Sequence, residues 1–191
     1  MRIQRGSKRG SGRPFIIGIG GAHSKVGKTT VACQILKRLG GWGAIKYTKT
    51  LFYSSIVDSP GILRQKNKDT SRLLDAGTHE VLWVQSPPDC LKEILQIAVD
   101  RLSHLKGIIL EGNSAIEVLR PDAVIFISGN KELKRSADEI LRIADAVIFD
   151  KDLPSGTPEG AERFRSDDVE GYTNFITGLM IERKNKKTAQ G

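Results

Sequence analysis

Gly20-Gly21-Ala22-His23-Ser24-Lys25-Val26-Gly27-Lys28-Thr29-Thr30 is the stretch on which the fold turns. Before it stands Phe15-Ile16-Ile17-Gly18-Ile19, a short apolar run with β-branched residues, the pattern of a buried strand. After it come Val31, Ala32, Ile35, Leu36 and Leu39, spaced for one face of a helix that Gly40-Gly41 closes. Strand, glycine loop and helix in this order form a phosphate-binding loop. Backbone N–H groups turn inward on a polyphosphate, and the helix N-terminus behind them adds positive potential. A lysine then bridges the outer phosphates, and a hydroxyl serves a magnesium ion. Gly27, Lys28 and Thr29 stand at the places this chemistry needs. The expected nucleotide-binding residues are Gly21, Ser24, Lys25, Val26, Gly27, Lys28, Thr29 and Thr30, with Lys28 catalytic and Thr29 on the metal. One position departs from the pattern. Gly-x4-Gly-Lys-Thr would place its first glycine at 22, which is Ala22; alanine is tolerated there if the backbone needs no positive φ. His23 reads as a turn residue, and Lys25 either adds charge beside phosphate or stands solvated.

Outward from the loop, Trp42–Tyr47, Glu80–Val84, Gly107–Leu110, Ala123–Ile127 and Ala146–Phe149 read as further short apolar strands. Between them, helical spacing covers Asp69–Ala76, Cys90–Leu105 and Lys131–Ala144. All-apolar strands alternating with helices predict an α/β fold: three layers, a mostly parallel central sheet and helices on both faces. Residues 48–68 read as a long polar loop, functional or mobile. A helix is expected at Val169–Ile181. Residues 15–181 thus read as one domain between two basic, disordered tails, 1–14 and 182–191.

A phosphate loop of this kind works with a carboxylate that holds the metal shell or orients the attacking group. Glu111 closes the strand Gly107-Ile108-Ile109-Leu110, where a side chain points into the crevice at the carboxyl ends of parallel strands. It is expected as a catalytic and metal-shell residue. Asp69 is expected on the metal as well, or as the N-cap of the helix that follows. Asp58 in Asp58-Ser59-Pro60-Gly61 matches an Asp-x-x-Gly switch element, but the turn reading is preferred because no good strand precedes it. Asn130-Lys131 sits where GTPases carry Asn-Lys-x-Asp, yet the fourth position is Leu133. Neither Asn130 nor Asp150 identifies the base, so the nucleotide is GTP or ATP, with Mg2+.

The chain of 191 residues carries a formal charge of +8. Arg2, Arg5, Lys8, Arg9 and Arg13 give the first tail +5; Arg183, Lys184, Lys186 and Lys187 against Glu182 give the second +3. Residues 15–181 are therefore neutral, and nucleic acid is not the expected partner. No apolar run is long enough to span a bilayer or to form a signal segment. Two cysteines make no disulfide framework and no zinc spacing, which fits a reducing cytoplasm.

Several of these pieces, taken in order, resemble the MobB-type P-loop proteins of molybdenum cofactor biosynthesis. They are Gly27-Lys28-Thr29-Thr30, then Ala44-Ile45-Lys46-Tyr47-Thr48, like the family's Ile-Lys-His-Thr. Lys68-Asp69-Thr70 with Leu73-Leu74-Asp75-Ala76-Gly77 follows, and Ile108-Ile109-Leu110-Glu111-Gly112 completes the set. The resemblance runs from Phe15 to Ser114. It departs at Tyr47, at Ala22, in a longer 47–69 loop and after Glu111, where no family signature stands. It implies GTP binding with slow hydrolysis, in support of molybdopterin guanine dinucleotide formation. Lys28 and Thr29 would then meet phosphate and magnesium, and Asp69 and Glu111 the metal shell or the attacking water. It further implies a cofactor-biosynthesis protein as partner and a homodimer. Lys46 faces either the nucleotide or an acid on the sheet. Dethiobiotin synthetase shares the loop and a strand ending in Glu-Gly, so an ATP-dependent ligase or small-molecule kinase is an alternative. A non-catalytic nucleotide-binding adaptor is another.

Overall fold

The computed structural model describes residues 13–129 and 135–188. Most of the N-terminal basic segment, Asn130 and Lys131 lie outside the described residues. The strands are β1 Phe15–Gly21, β2 Trp42–Lys49, β3 Ser55–Val57, β4 Glu80–Ser86, β5 Gly107–Glu111, β6 Ala123–Ile127, β7 Ala146–Phe149 and β8 Glu162–Arg165. The helices are α1 Lys28–Leu36, α2 Pro60–Leu63, α3 Asp69–Asp75, α4 Leu91–Arg101, α5 Asn113–Leu119, α6 Arg135–Arg142 and α7 Val169–Thr188. The strands form one eight-stranded sheet in the order β3-β4-β2-β5-β1-β6-β7-β8. Every pairing is parallel except β3 with β4.

Alternation along the strands builds two cores. Ile16, Ile45, Ile108, Leu110, Val124 and Phe126 pack on one face with Leu95 of α4, Ile116 of α5 and Ile140 of α6. Their neighbours Ile17, Ile19, Ala44, Ile109, Ile125 and Ile127 pack on the other with Ile35 of α1, Leu73 of α3 and Tyr172 and Ile176 of α7. A fully buried isoleucine stabilises by roughly 1.5–3 kcal/mol, so the central strands hold the layers together without help from disulfides; both cysteines are free. This is the expected three-layer α/β arrangement.

The connections place the crevice. After β1 the chain enters α1 on one face of the sheet; after the adjacent β5 it enters α5 on the opposite face. Helices leaving to opposite sides of two neighbouring strands open a cleft at their carboxyl ends. Gly21 and Glu111 terminate those two strands.

Several expectations change. Residues 48–68 are not a loop throughout. The chain crosses the end of β4 and returns as β3, with Ser55, Ile56 and Val57 facing Gln85, Val84 and Trp83. The crossing is tied down, because Thr50 N donates to the Ser86 carbonyl at 3.1 Å and Thr50 Oγ1 to the Tyr53 carbonyl at 2.6 Å. α2 occupies Pro60–Leu63, with proline at its first turn. Helix α5 and edge strand β8 were not read from the sequence. Helix α7 continues past Ile181 to Thr188, so the helical backbone runs through the start of the segment expected to be a tail. Among the described residues no helix is long and apolar enough to cross a membrane.

Candidate functional site

Between β1 and α1 the chain turns back on itself, and glycine is required twice. Gly27 has φ +107°, a left-handed conformation that strains any side chain. A Cβ on Gly21 would lie 2.6 Å from Val26 Cγ1, so the loop folds too tightly over residue 21 for a side chain. Ala22, by contrast, is buried, does not have positive φ, and donates its N–H to the Ile127 carbonyl at 2.9 Å. The loop therefore keeps its course with alanine where the pattern has glycine. Lys25 takes positive φ, 64°, and stands exposed.

Helix α1 begins at Lys28 with no side-chain cap and no acid in its first turn, which leaves its leading N–H groups available to an anion. Lys28 Nζ donates to the His23 carbonyl at 2.9 Å, so the ammonium is wrapped by its own loop. Burial lowers the Lys28 pKa, and Glu111 opposes that shift without cancelling it. The Nδ1 of His23 lies 2.7 Å from the Ser24 carbonyl, a contact within the turn.

Thr29 and Asp69 are brought to Glu111, directly and through Lys46. The Thr29 hydroxyl donates to both Glu111 carboxylate oxygens, at 3.1 and 3.0 Å. Lys46 Nζ lies 2.9 Å from Asp69 Oδ2 and hydrogen-bonds Glu111 Oε1. Glu111 is 2% exposed. Burial pushes the Lys46 pKa down, but Glu111 and Asp69 together outweigh it, and the net shift is upward. For Asp69, desolvation raises the pKa while Lys46, Thr29 and Arg72 lower it further, and the net shift is downward. Asp69 is the first residue of α3, not its N-cap; Lys68 holds that position with no side-chain cap, and the Asp69 carboxylate is turned to Lys46.

Two residues escaped the sequence reading. Arg72, one turn after Asp69, donates from Nη2 to Thr30 Oγ1 at 2.9 Å and reaches Asp69 at 3.8 Å. The Asp69-x-x-Arg72 spacing on a helix was the available signal. Asn113 clasps the loop's entry, accepting from Gly21 N and donating to Gly21 O, both at 3.0 Å. Its place directly after Glu111-Gly112 was the only hint. Asp58 does not join the site. It is exposed and pairs with Arg101 of α4.

These side chains line a cavity of about 480 Å3, which includes Ser24, Lys25, Lys28, Thr29, Thr30, Lys46, Tyr47, Thr48, Asp69, Arg72, Glu111 and Gly112. Four cations face two carboxylates, an excess that favours a polyanion. Tyr47 commits its hydroxyl to the Ser86 carbonyl at 3.0 Å, and burial raises its pKa. On the other side of the loop a hollow of about 240 Å3 is lined by Val26, Gly27, Thr30, Gln34, Ser128, Asp150 and Ser166, among others. Among the described residues no group of three or more His, Cys, Asp or Glu side chains could hold a metal ion alone. Two carboxylates and one hydroxyl beside a polyphosphate nevertheless fit magnesium, which takes few protein ligands and completes its shell with phosphate and water.

No family model matches the chain, and no curated protein does. Solved structures do. HypB from Helicobacter pylori, in complex with nickel, superposes with a TM-score of 0.56 at 15% identity, covering 89% of this chain and 88% of that one. LpxK from Aquifex aeolicus, in complex with ATP, gives 0.51 at 20% identity, covering 80% of this chain but 53% of LpxK. The chain thus spans about half the length of LpxK. At such identities the likeness concerns the fold, and the fold is that of the P-loop nucleoside triphosphatases.

Proposed function

We propose that this protein binds a nucleoside triphosphate with magnesium in the 480 Å3 cavity and hydrolyses it slowly. The observation that carries the reading is the convergence on the loop. Lys28, Thr29, Asp69 and Glu111 come from three separate elements and meet around one cation-rich pocket. In this reading the loop amides and Lys28 hold the outer phosphates. Thr29, Asp69 and Glu111 hold the magnesium ion, which when bound supplies charge neutralisation. Arg72 and Lys25 add positive charge at the rim, and Glu111 or Asp69 orients the attacking water.

GTP is the proposed nucleotide. The 240 Å3 hollow lies on the far side of the loop, where a base would extend, and Asp150 lines it. A carboxylate there accepts from the two adjacent N–H donors of guanine, whereas adenine offers one amino group. The proposed setting is the MobB-type one, assistance in molybdopterin guanine dinucleotide assembly. Its support is that Lys46, Tyr47, Thr48, Asp69, Glu111 and Gly112, which carry the resemblance, all line the one cavity.

Titration with fluorescent mant-GTP and mant-ATP tests the reading. Magnesium-dependent binding, tighter for GTP and abolished in Lys28→Ala, is expected. Absence of magnesium-dependent binding of either nucleotide would refute it. Loss of the GTP preference in Asp150→Ala would identify the hollow as the base site, and an unchanged preference would reject that part.

A further inference from the structure

The oxygens that suit a magnesium ion already share a cation. Lys46 Nζ is 2.9 Å from Asp69 Oδ2 and hydrogen-bonded to Glu111 Oε1, and Thr29 donates to that same Glu111 carboxylate. The fold, not a flexible chance meeting, brings Lys46 there. Lys46 and Glu111 are directly opposite in the parallel pairing of β2 with β5. The Lys46 side chain is only 17% exposed. Asp69 reaches the ammonium from a third element, the start of α3.

We infer that Lys46 is a resident counter-ion. It neutralises Asp69 and Glu111 while no nucleotide is bound and yields them to the divalent cation that enters with the triphosphate. The inference rests on the proposed nucleotide site. An ammonium and a dication cannot both sit against the same two carboxylates, since like charges at that distance repel strongly out of bulk water. Without any cation, a carboxylate as buried as Glu111 would be charged and desolvated. Occupancy by one or the other is therefore exclusive. A triphosphate changes the balance, because its oxygens give the released ammonium a new anionic partner. Magnesium arriving with nucleotide is favoured over magnesium alone. Lys46 acts in this way as a positioning residue for the carboxylates.

The test reads metal binding, not turnover. Binding of Mn2+ to the nucleotide-free full-length protein is followed by the electron paramagnetic resonance of free Mn2+. Lys46→Met is expected to bind Mn2+ at least tenfold more tightly than the unaltered protein, while Lys46→Arg, which keeps the cation, stays near it. Unchanged or weaker Mn2+ binding in folded Lys46→Met overturns the inference. Should Lys46→Met not fold, the unaltered protein still decides. Its lysine ammonium NMR signal, assigned through Lys46→Arg, must shift as Mg2+ saturates the site, and at lower Mg2+ when nucleotide is present. A signal that stays in place at saturating Mg2+ overturns the inference. Failure of the mant-nucleotide titration would instead strike the proposed function, since the Mn2+ measurement needs no nucleotide.

Discussion

Removing the Lys46 ammonium should cost far more stability than removing the Glu111 charge, although the two belong to one ion pair. The asymmetry follows from exposure. Glu111 is 2% exposed and Lys46 17%. In Lys46→Met the Glu111 carboxylate keeps the Thr29 hydroxyl as its hydrogen-bond partner and loses its ion pair, with the Lys28 charge acting on it without a direct contact among the described residues. Breaking a buried pair from one side costs about 3–5 kcal/mol, and the partial exposure of Lys46 argues for about 3. In Glu111→Gln, the amide oxygen still accepts from Lys46 and Thr29, and Lys46 retains Asp69 at 2.9 Å; the loss is about 1 kcal/mol. The double variant removes both members of the pair, so neither stays behind without the other, and should lose about 2 kcal/mol, where independent effects would add to about 4. Urea denaturation followed by far-ultraviolet circular dichroism at neutral pH measures all four proteins. The thermal midpoint of Lys46→Met should fall by about 6–12 °C. Equal losses in the two single variants, or a double variant equal to their sum, would refute the argument from burial.

Other expectations are simpler. Lys28→Ala should weaken nucleotide binding at least a hundredfold in fluorescence titration while leaving the fold intact, because the hydrogen bond of its ammonium among the described residues goes to a carbonyl of its own loop. Asn113→Ala removes both bonds to Gly21 and should lower stability by about 2 kcal/mol in chemical denaturation; a neutral result would mean the clasp is dispensable. Gly27→Ala forces a side chain into φ +107° and should cost about 1 kcal/mol or more, with weaker nucleotide binding by calorimetry. The Lys46 pKa is raised on folding, so its stabilisation is complete below the ordinary lysine value of about 10.4 and fades as pH climbs through the higher folded value. Lys46→Arg, whose guanidinium stays charged, should move the alkaline unfolding midpoint upward, and no movement would count against that shift.

The sequence made the centre of this molecule legible and its periphery much less so. β1, the glycine loop and α1 could be read because apolar β-branched residues, then Gly27-Lys28-Thr29, then a helical period stand in unbroken order. Glu111 could be placed because a buried strand ends on it. β3 could not be read, since three residues on the sheet edge need only one neighbour and carry no run to recognise. β8, Glu162-Arg163-Phe164-Arg165, is an edge strand with one apolar side chain, and its composition is that of a surface. α5 is seven residues long and begins immediately after β5, too short for a period to declare itself. Arg72 had only its spacing from Asp69 as a signal and Asn113 only its place after Glu111-Gly112, and neither names the loop atoms they meet. For Lys46, choosing between the nucleotide and an acid on the sheet needs the strand order. Lys46 meets Glu111 only because β2 and β5 are neighbours in the sheet.

That sheet order also sets a timetable. β1 has two neighbours, β5 and β6, and both lie far along the chain, at 107–111 and 123–127. A nascent chain that stops short of Gly107 contains every residue of the phosphate loop and neither of the strands between which β1 lies. Pairings of such long sequence separation form slowly, after local helices and turns. The ribosome must therefore deliver residues through Asn113 before Gly21 acquires its clasp, and through Ile127 before Ala22 acquires its bond. A loop that precedes both of its supporting strands is thus completed only after they are made, and its capture of a ligand would report that β1, β5 and β6 have already paired.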